Sequence, residues 1–335
     1  MTSNAEITVG LILGGISGER PVSLESGKAV YDALLSEGFA VKLIDPALGL
    51  AQYENPEDYW TKAARDFSPA EIYAAFSPKI FNDVDVVFIA LHGSYGEDGV
   101  TQTLLDLLGV PYVGSDSFAS AIGINKYFTK IIGEKYGVQF PRGFLVKKSE
   151  SDAYELMKKA REYFNGKFVV KPNRQGSSLG LTVCETAEML PDALQKGFAV
   201  DDELIIEEFI EGKELTVSIL LDEALPLIEI VPQSGLYDFE AKYEAETTRY
   251  IVPAPVGEGS AYAMQRDALK LFSALGCRHY ARVDFRMRGN GEFYCLEINT
   301  LPGMTSHSLL PKAAAASGTN FNKLIKKLIY AAIEK

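Results

Sequence analysis

Residues 281–308, with the sequence ARVDFRMRGNGEFYCLEINTLPGMTSHS, constrain the fold most strongly because they predict two strands joined by a tight turn. Charged and apolar residues alternate in the first half, which is the period-2 pattern of a strand with one buried face. Asn290-Gly291 is a typical two-residue hairpin loop, since both of its positions require positive φ. With that loop, Asp284 lies opposite Glu297 and Arg282 lies opposite Asn299.

This pairing predicts a metal site. Two carboxylates that face each other on one sheet surface repel unless a cation lies between them. Asp284, Glu297 and Asn299 offer only oxygen ligands, which suit Mg²⁺ better than Zn²⁺. A Mg²⁺ ion held by a few carboxylates usually shares its other positions with phosphate. The alternative is a solvated hairpin with scattered charges, because a slip of one residue in register would reverse the two faces.

Length and charge narrow the class of protein. The chain has 335 residues, which predicts two or three domains. Its net charge of −12 argues against a nucleic-acid partner bound through a broad basic face. The three cysteines are far apart and lack metal-ligand spacing, so we expect buried free thiols in a reducing compartment. Without a signal peptide or an apolar run of membrane-spanning length, a cytoplasmic location is expected.

The N-terminal part predicts a parallel sheet. A strand at 7–13, a glycine-rich turn, a helix at 22–37 and a strand at 39–44 follow one another, an order that places helices on the faces of a parallel sheet. Ligands of such sheets bind at the carboxyl ends of the strands, where Glu19 falls. His92 follows a third strand in the same way, and both a structural and a binding role are open for it. Residues 47–80 are predicted to be a surface excursion without chemistry.

The middle of the chain predicts a phosphate loop and a lid. A strand ending in Lys171-Pro172 is followed by the loop 173–180, NRQGSSLG, whose N–H groups and hydroxyls could contact phosphate oxygens. A solvent-exposed hairpin is the alternative. The strand at 203–210 could present its backbone edge to an adenine ring, with Glu214 near ribose hydroxyls, although an ordinary charged strand end fits equally well. Residues 232–256 are long and aromatic enough to predict a functional lid.

Taken in order, these features resemble the ATP-grasp fold, and more narrowly the chain is similar to D-alanine–D-alanine ligases. The motifs that carry the resemblance span nearly the whole chain in the order of the family and leave out residues 47–80. They are GGISGERPVSLESG (14–27), ALHGSYGEDG (90–99), VVKPNRQGSSLG (169–180), YDFEAKY (237–243), ARVDF (281–285) and LEINTLPGMTSHS (296–308).

The resemblance implies an α/β architecture, an ATP-grasp fold preceded by a Rossmann-like parallel-sheet domain (the pre-ATP-grasp domain). The expected N-terminal substrate domain covers residues 1–120. A central ATP-grasp subdomain would follow over 121–210. A C-terminal ATP-grasp subdomain over 211–335 would contain the metal site and the lid loop 232–256.

The resemblance also assigns site residues. For ATP it implies that Lys126, Lys171 and Lys242 contact the phosphates and that Glu214 binds the ribose. The adenine would contact the strand residues Glu207, Glu208, Phe209 and Ile210. For the metal it implies Asp284, Glu297 and Asn299. For the reaction it implies that Glu19 holds the ammonium group of the first substrate, with Ser177 and Tyr243 linked to Glu19 by hydrogen bonds. It also implies that Arg282 and the Gly303 N–H stabilise the oxyanion. For the substrates it implies His92 near the first and Ser308 on the carboxylate of the second.

The implied activity is ATP-dependent ligation of two D-alanines to D-alanyl-D-alanine, through an acyl phosphate, for peptidoglycan precursors. Three alternatives remain: a ligase that uses D-lactate or D-serine second, another ATP-grasp carboxylate–amine ligase, and a non-catalytic binding protein. The segment 232–256 lacks the histidine of lactate-using relatives, which favours D-alanine, although His307 lies beside Ser308. We expect ATP and Mg²⁺ as cofactors, with Mn²⁺ able to substitute, no nucleic-acid or membrane partner, and a homodimer.

Overall fold

The computed structural model describes residues 4–62, 68–232 and 248–334, and its first sheet is parallel, as predicted. Three strands form it in the order β2-β1-β3: β1 (Thr8–Ile12), β2 (Ala40–Ile44) and β3 (Val86–Ile89). In the central strand, Gly10 lies opposite Lys42 on one side and Val87 on the other. Every residue of β3 is buried, which accounts for its continuous apolar sequence.

Helices cover this sheet and begin the second half of the molecule. They are α1 (Arg20–Ser36), α2 (Glu57–Thr61), α3 (Pro69–Ala75), α4 (Pro78–Phe81), α5 (Val100–Leu108), α6 (Ser117–Ile124) and α7 (Lys126–Lys135). The first helix ends before Gly38, whose φ of 84° supplies the left-handed residue that commonly follows a helix. None of the described helices is both long and apolar enough to cross a bilayer.

The prediction that residues 47–80 form a surface excursion is wrong. The segment contains α2, α3 and most of α4, and Tyr59, Ile72 and Ile80 from these helices are buried in the core of the first sheet. The Tyr59 hydroxyl donates a hydrogen bond of 3.1 Å to the Leu43 carbonyl in β2. Helices this short place only one or two residues in the core, so they leave no periodic pattern in the sequence.

The second sheet is antiparallel, with strands in the order β4-β7-β5-β6. The strands are β4 (Gly143–Lys147), β5 (Phe168–Pro172), β6 (Thr182–Cys184) and β7 (Glu203–Glu208), and two helices, α8 (Ala153–Tyr163) and α9 (Leu190–Gly197), share its core. The loop 173–180 joins β5 to β6. It therefore lies at one end of this sheet, as expected for a loop between two strands.

The third sheet runs in the order β11-β10-β8-β12-β13, with β9 paired to β8. Its strands are β8 (Lys213–Leu220), β9 (Glu223–Ala224), β10 (Ile228–Val231), β11 (Arg249–Ile251), β12 (Tyr280–Met287) and β13 (Phe293–Asn299). Three further helices follow in the chain: α10 (Glu258–Ala274), α11 (Leu309–Ala316) and α12 (Phe321–Ile333). The last one packs against α1 and β3, so the end of the chain returns to the first sheet.

The hairpin β12–β13 has the predicted register only in the half that is farther from the turn. Asp284 pairs with Glu297 and Arg282 with Asn299, as expected. Near the turn the register differs by one, because Arg288 and Glu292 enclose a three-residue loop with Gly291 at a φ of 90°. A bulge at Leu296 restores the pairing, and it lets Leu296 and the adjacent Glu297 both face the same cavity.

Candidate active site

Two neighbouring cavities lie between the sheets. The larger cavity has a volume of about 600 Å³ and the smaller cavity about 240 Å³. They share a wall formed by Lys126, Gln175, Gly176 and Glu297. A molecule in one cavity can therefore approach a molecule in the other beside Glu297, one of the predicted metal ligands.

The smaller cavity collects the residues predicted to bind ATP. The described ones lie in its walls: Lys126, Lys171, Glu207, Glu208, Phe209, Ile210 and Glu214. Its walls are built from the second sheet on one side and the third sheet on the other. Val169, Leu181 and Leu296 supply apolar lining that suits a planar base, while the lysines suit phosphate. Lys242 lies outside the described residues.

Charges in the smaller cavity are balanced within the protein. Lys171 Nζ lies 2.5 Å from Glu207 Oε1, and both side chains are more than nine-tenths buried. Glu214, the predicted ribose acid, accepts a 3.0 Å hydrogen bond from Arg286, whose Nε donates to the Ile210 carbonyl. Burial of the neighbouring Lys130 lowers the pKa of its ammonium group. The cavity thus keeps its charged groups fixed by internal partners.

The predicted metal ligands lie on the hairpin beside the shared wall. Asp284 accepts two hydrogen bonds from Arg282, of 2.9 and 2.8 Å, and a third of 2.7 Å from Thr216 Oγ1. Glu297 Oε2 lies 3.1 Å from Lys126 Nζ. The Asn299 side-chain oxygen accepts from the Leu301 N–H at 2.8 Å.

This donor set fits a hard divalent cation. Two carboxylates that pair across the hairpin and one amide oxygen are the ligands that Mg²⁺ prefers. Among the described residues there is no group of three His, Cys, Asp or Glu side chains that could hold a metal. Sequence reasoning missed Thr216, which lies opposite Asp284 on β8 and fixes one of its oxygens.

The larger cavity collects the predicted reaction and substrate residues. Those that line it are Glu19, His92, Ser177, Arg282, Gly303 and Ser308. They come from four separate parts of the sequence, and the fold brings them together near the carboxyl ends of the first sheet, beside the loop 173–180. Tyr243, like residues 233–247 of the predicted lid as a whole, lies outside the described residues.

Glu19 and Ser177 connect the N-terminal part to the loop 173–180. The Ser177 hydroxyl donates a short hydrogen bond to Glu19, across 158 positions of sequence. Ser177 and Ser178 have φ values of 51° and 57°, a left-handed conformation that is unfavourable for residues other than glycine. The loop is held in place by Lys126 Nζ, which donates to the Gln175 carbonyl at 2.6 Å. The loop therefore lies over the wall that the two cavities share.

His92, Gly303 and Ser308 form the far side of the larger cavity. His92 is buried, with Nε2 3.1 Å from Ser26 Oγ and Nδ1 3.6 Å from Glu97. A Cβ at Gly303 would lie 3.0 Å from Ser308 Oγ, so a larger residue there would require the Ser308 side chain to shift. Ser308 Oγ accepts from the Thr305 N–H at 3.0 Å. His92 thus has internal partners and also faces the cavity.

Sequence reasoning missed several residues that line the larger cavity. Glu97 falls within one of the quoted motifs, and Tyr250 lies on β11. Lys312 follows Ser308 by four positions, which is one turn of α11. That spacing is the signal that could have identified it, because residues four apart share a helix face.

Comparisons with known proteins agree with this arrangement. Residues 8–115 match the family model "D-ala D-ala ligase N-terminus" and residues 136–330 match "D-ala D-ala ligase C-terminus". A D-alanine–D-alanine ligase of Syntrophotalea carbinolica is 38% identical over 321 residues, covering 96% of this chain and 94% of the relative.

Solved structures give the same result. The D-alanine–D-alanine ligase of Bacillus anthracis complexed with ATP is 30% identical, with a TM-score of 0.77 and 98% of both chains covered. The VanG D-Ala:D-Ser ligase of Enterococcus faecalis is 27% identical, with a TM-score of 0.81, covering 97% of this chain and 99% of that one.

Two antiparallel sheets enclosing a cavity, behind an N-terminal parallel sheet, define an ATP-grasp enzyme. Within that class, the chain belongs to the D-alanine–D-alanine ligase family.

Proposed function

We propose that this protein joins two D-alanines to D-alanyl-D-alanine at the expense of ATP, through an acyl phosphate, for peptidoglycan precursors. The observation that carries the proposal is the pair of cavities that meet at Lys126 and Glu297, in a chain of this ligase family. ATP would occupy the smaller cavity and the two amino acids the larger one. The reacting carboxylate and the γ-phosphate would then meet at the shared wall.

In the smaller cavity, the protein positions ATP and neutralises its charge. Glu207 to Ile210 would contact the adenine and Glu214 the ribose, while Lys126 and Lys171, with Lys242, would contact phosphates. Asp284, Glu297 and Asn299 would hold Mg²⁺. Bound there, Mg²⁺ supplies positive charge that offsets the charge developing on the transferred phosphoryl group. The same ligands would accept Mn²⁺.

In the larger cavity, the protein orients the two amino acids. Glu19 would hold the ammonium group of the first D-alanine near His92, supported by Ser177 and by Tyr243. Arg282 and the Gly303 N–H would stabilise the oxyanion that forms when the second amine attacks, each lowering the barrier by roughly 3 kcal/mol. The loop 173–180 would shield the acyl phosphate from water.

The second substrate is the point on which relatives differ, since the Enterococcus faecalis structure is a D-Ala:D-Ser ligase. We propose D-alanine. The test is a competition assay with equal D-alanine, D-serine and D-lactate, ATP and Mg²⁺, with products identified by mass. Mostly D-alanyl-D-alanine is expected near neutral pH. A depsipeptide or a D-alanyl-D-serine product in excess would assign the other specificity, and ATP turnover without any ligated product would overturn the proposal.

The domain division at 1–120, 121–210 and 211–335 also remains our proposal, supported by one sheet in each range. We also propose a cytoplasmic location, where ATP and the peptidoglycan precursors are present, and a homodimer. Exposed Leu107, Phe118 and Phe128 on the successive helices α5, α6 and α7 support a subunit interface. Light scattering should give about twice the monomer mass of 36.7 kDa, and a single-chain mass would contradict the dimer.

A further inference from the structure

Lys312 lies in the wall of the larger cavity, one helical turn after Ser308. Its ammonium group donates a short hydrogen bond to the His307 carbonyl and lies 5.1 Å from the centre of the Tyr250 ring. The side chain is half-buried. Both contacts fix the position of the ammonium group, and neither one neutralises its charge.

The other strong cations of this cavity are already balanced. Lys126 lies 3.1 Å from Glu297, and Arg282 lies 2.8 Å from Asp284. In the part of the chain that the structure describes, no carboxylate oxygen lies within 4.0 Å of Lys312 Nζ. Burial lowers the pKa of Lys312, which is the direction expected for an ammonium group without a neutralising partner. Within the described ranges, Lys312 thus brings a positive charge to the cavity without a carboxylate beside it.

The proposed reaction brings an uncompensated negative charge to the same place. The second amino acid reacts through its amine and keeps its carboxylate, which must leave water when the cavity closes. A buried carboxylate is costly unless it meets a cation and hydrogen-bond donors. Without Lys312, the carboxylate would meet the neutral hydroxyl of Ser308. Ser308 is the N-cap of α11, where the helix dipole contributes a partial positive charge. A full positive charge one turn further along complements it.

We propose that Lys312 pairs with the carboxylate of the second amino acid and selects acceptors that carry one. This inference rests on the proposed function, and it adds a residue and a requirement to it. A charge-assisted hydrogen bond in a closed site is stronger than a neutral one. D-Alanine should therefore be a better acceptor than D-alaninamide while Lys312 is present. Without Lys312, the preference for the carboxylate should be largely lost.

The experiment compares two acceptors in three proteins. The parent protein, Lys312→Met and a matched control, Lys323→Met, receive D-alanine together with D-alaninamide, ATP and Mg²⁺. Lys323 is an exposed lysine on the neighbouring helix α12, so its replacement makes the same charge change away from the cavity. The ratio of D-alanyl-D-alanine to its amide is read by mass, and the KM values for both D-alanine sites and for ATP are measured separately.

We expect Lys312→Met to raise the KM of the second D-alanine about tenfold or more and to lower the acid-to-amide ratio by a similar factor. The KM values for the first D-alanine and for ATP should change less than about twofold, and Lys312→Arg should restore most of the ratio. Lys323→Met should behave as the parent. If the methionine variant melts at a clearly lower temperature, Lys312→Gln replaces it in the same assay.

Two failures can be told apart. If the parent makes the dipeptide and Lys312→Met keeps the parental acid-to-amide ratio, the role of Lys312 is overturned while the proposed function stands. A KM that rises equally for all three substrates would also overturn it, because that pattern indicates a structural role. If the parent makes no D-alanyl-D-alanine, the proposed function falls, and this inference with it.

Discussion

The smaller and larger cavities differ in how their charges are balanced. In the smaller cavity Lys171 is paired with Glu207 and Arg286 with Glu214, and all four side chains are largely buried. In the larger cavity the partners of Lys312, among the residues that the structure describes, are a carbonyl and an aromatic ring. The difference indicates that the smaller cavity is part of the folded core. The larger cavity instead keeps charge available for its ligands. Substitution of a buried pair in the smaller cavity should therefore lower stability as well as ATP binding, whereas substitution of Lys312 should mainly affect activity.

The largest effect is expected where the two cavities meet. Asp284→Asn and Glu297→Gln should each reduce turnover by about 10⁴-fold or more, which corresponds to roughly 5 kcal/mol of lost transition-state stabilisation. The fold should persist with some loss of stability, because Arg282 or Lys126 loses a charged partner while the repulsion between the two facing carboxylates is removed. Phosphate release at saturating ATP and Mg²⁺ measures the first effect and thermal unfolding the second. Turnover equal to the parent would refute the metal assignment.

Lys171→Met should instead lower the free energy of unfolding by about 3–5 kcal/mol, because it leaves Glu207 charged and buried without its partner. The double variant Lys171→Met/Glu207→Leu should recover part of this stability, because neither member of the pair remains charged, while the buried Lys130 loses its favourable interaction with Glu207. Neither variant should bind ATP well. Urea unfolding and calorimetric titration with ATP separate the two properties. A single variant as stable as the parent would show that the pair is not part of the core.

How much of the site the sequence predicts depends on the range of the contacts. The hairpin pairing of Asp284 with Glu297 is confirmed, but two local features compensate each other. The turn has three loop residues where two are predicted, and the bulge at Leu296 restores the register. Alternation in the sequence specifies which face of a strand is buried, but it does not show where an extra residue enters.

Contacts between segments that are far apart in the sequence cannot be predicted from periodicity. The burial of Tyr59 and Ile80 depends on a sheet formed elsewhere in the chain, so these sparse apolar residues leave no periodic pattern in the sequence. The Ser177–Glu19 hydrogen bond joins segments 158 residues apart, and only the resemblance to the family linked the two residues. Periodicity reports on a single helix or strand, whereas an active site is assembled from several.

Ser177 and Ser178 provide a comparison within one loop, since the first lines the larger cavity and the second lines the smaller one. Ser177→Ala should lower kcat/KM for the first D-alanine by about 10- to 100-fold, because Glu19 loses a hydrogen bond to a charged group. Ser178→Ala should act mainly on the KM for ATP. Steady-state kinetics with each substrate varied in turn distinguishes them. Identical effects of the two variants would mean that the loop acts as a single unit.

The smallest effect is expected for Lys42 and Asp83, an exposed pair at the first sheet whose 2.6 Å separation nearly equals that of Lys171 and Glu207. The hydrogen bond from Lys42 lowers the pKa of Asp83. A carboxyl whose pKa is lowered by folding adds stability above its unfolded pKa and loses it as the pH falls through the folded value. Asp83→Asn should therefore cost less than about 1 kcal/mol at pH 7, because water screens the pair, and the cost should shrink further in acid and in high salt. Urea unfolding of both proteins at two pH values measures it. A loss at pH 7 as large as that of Lys171→Met would mean that distance, and not burial, decides the energy of these pairs, and the contrast between the two cavities would then lose its physical basis.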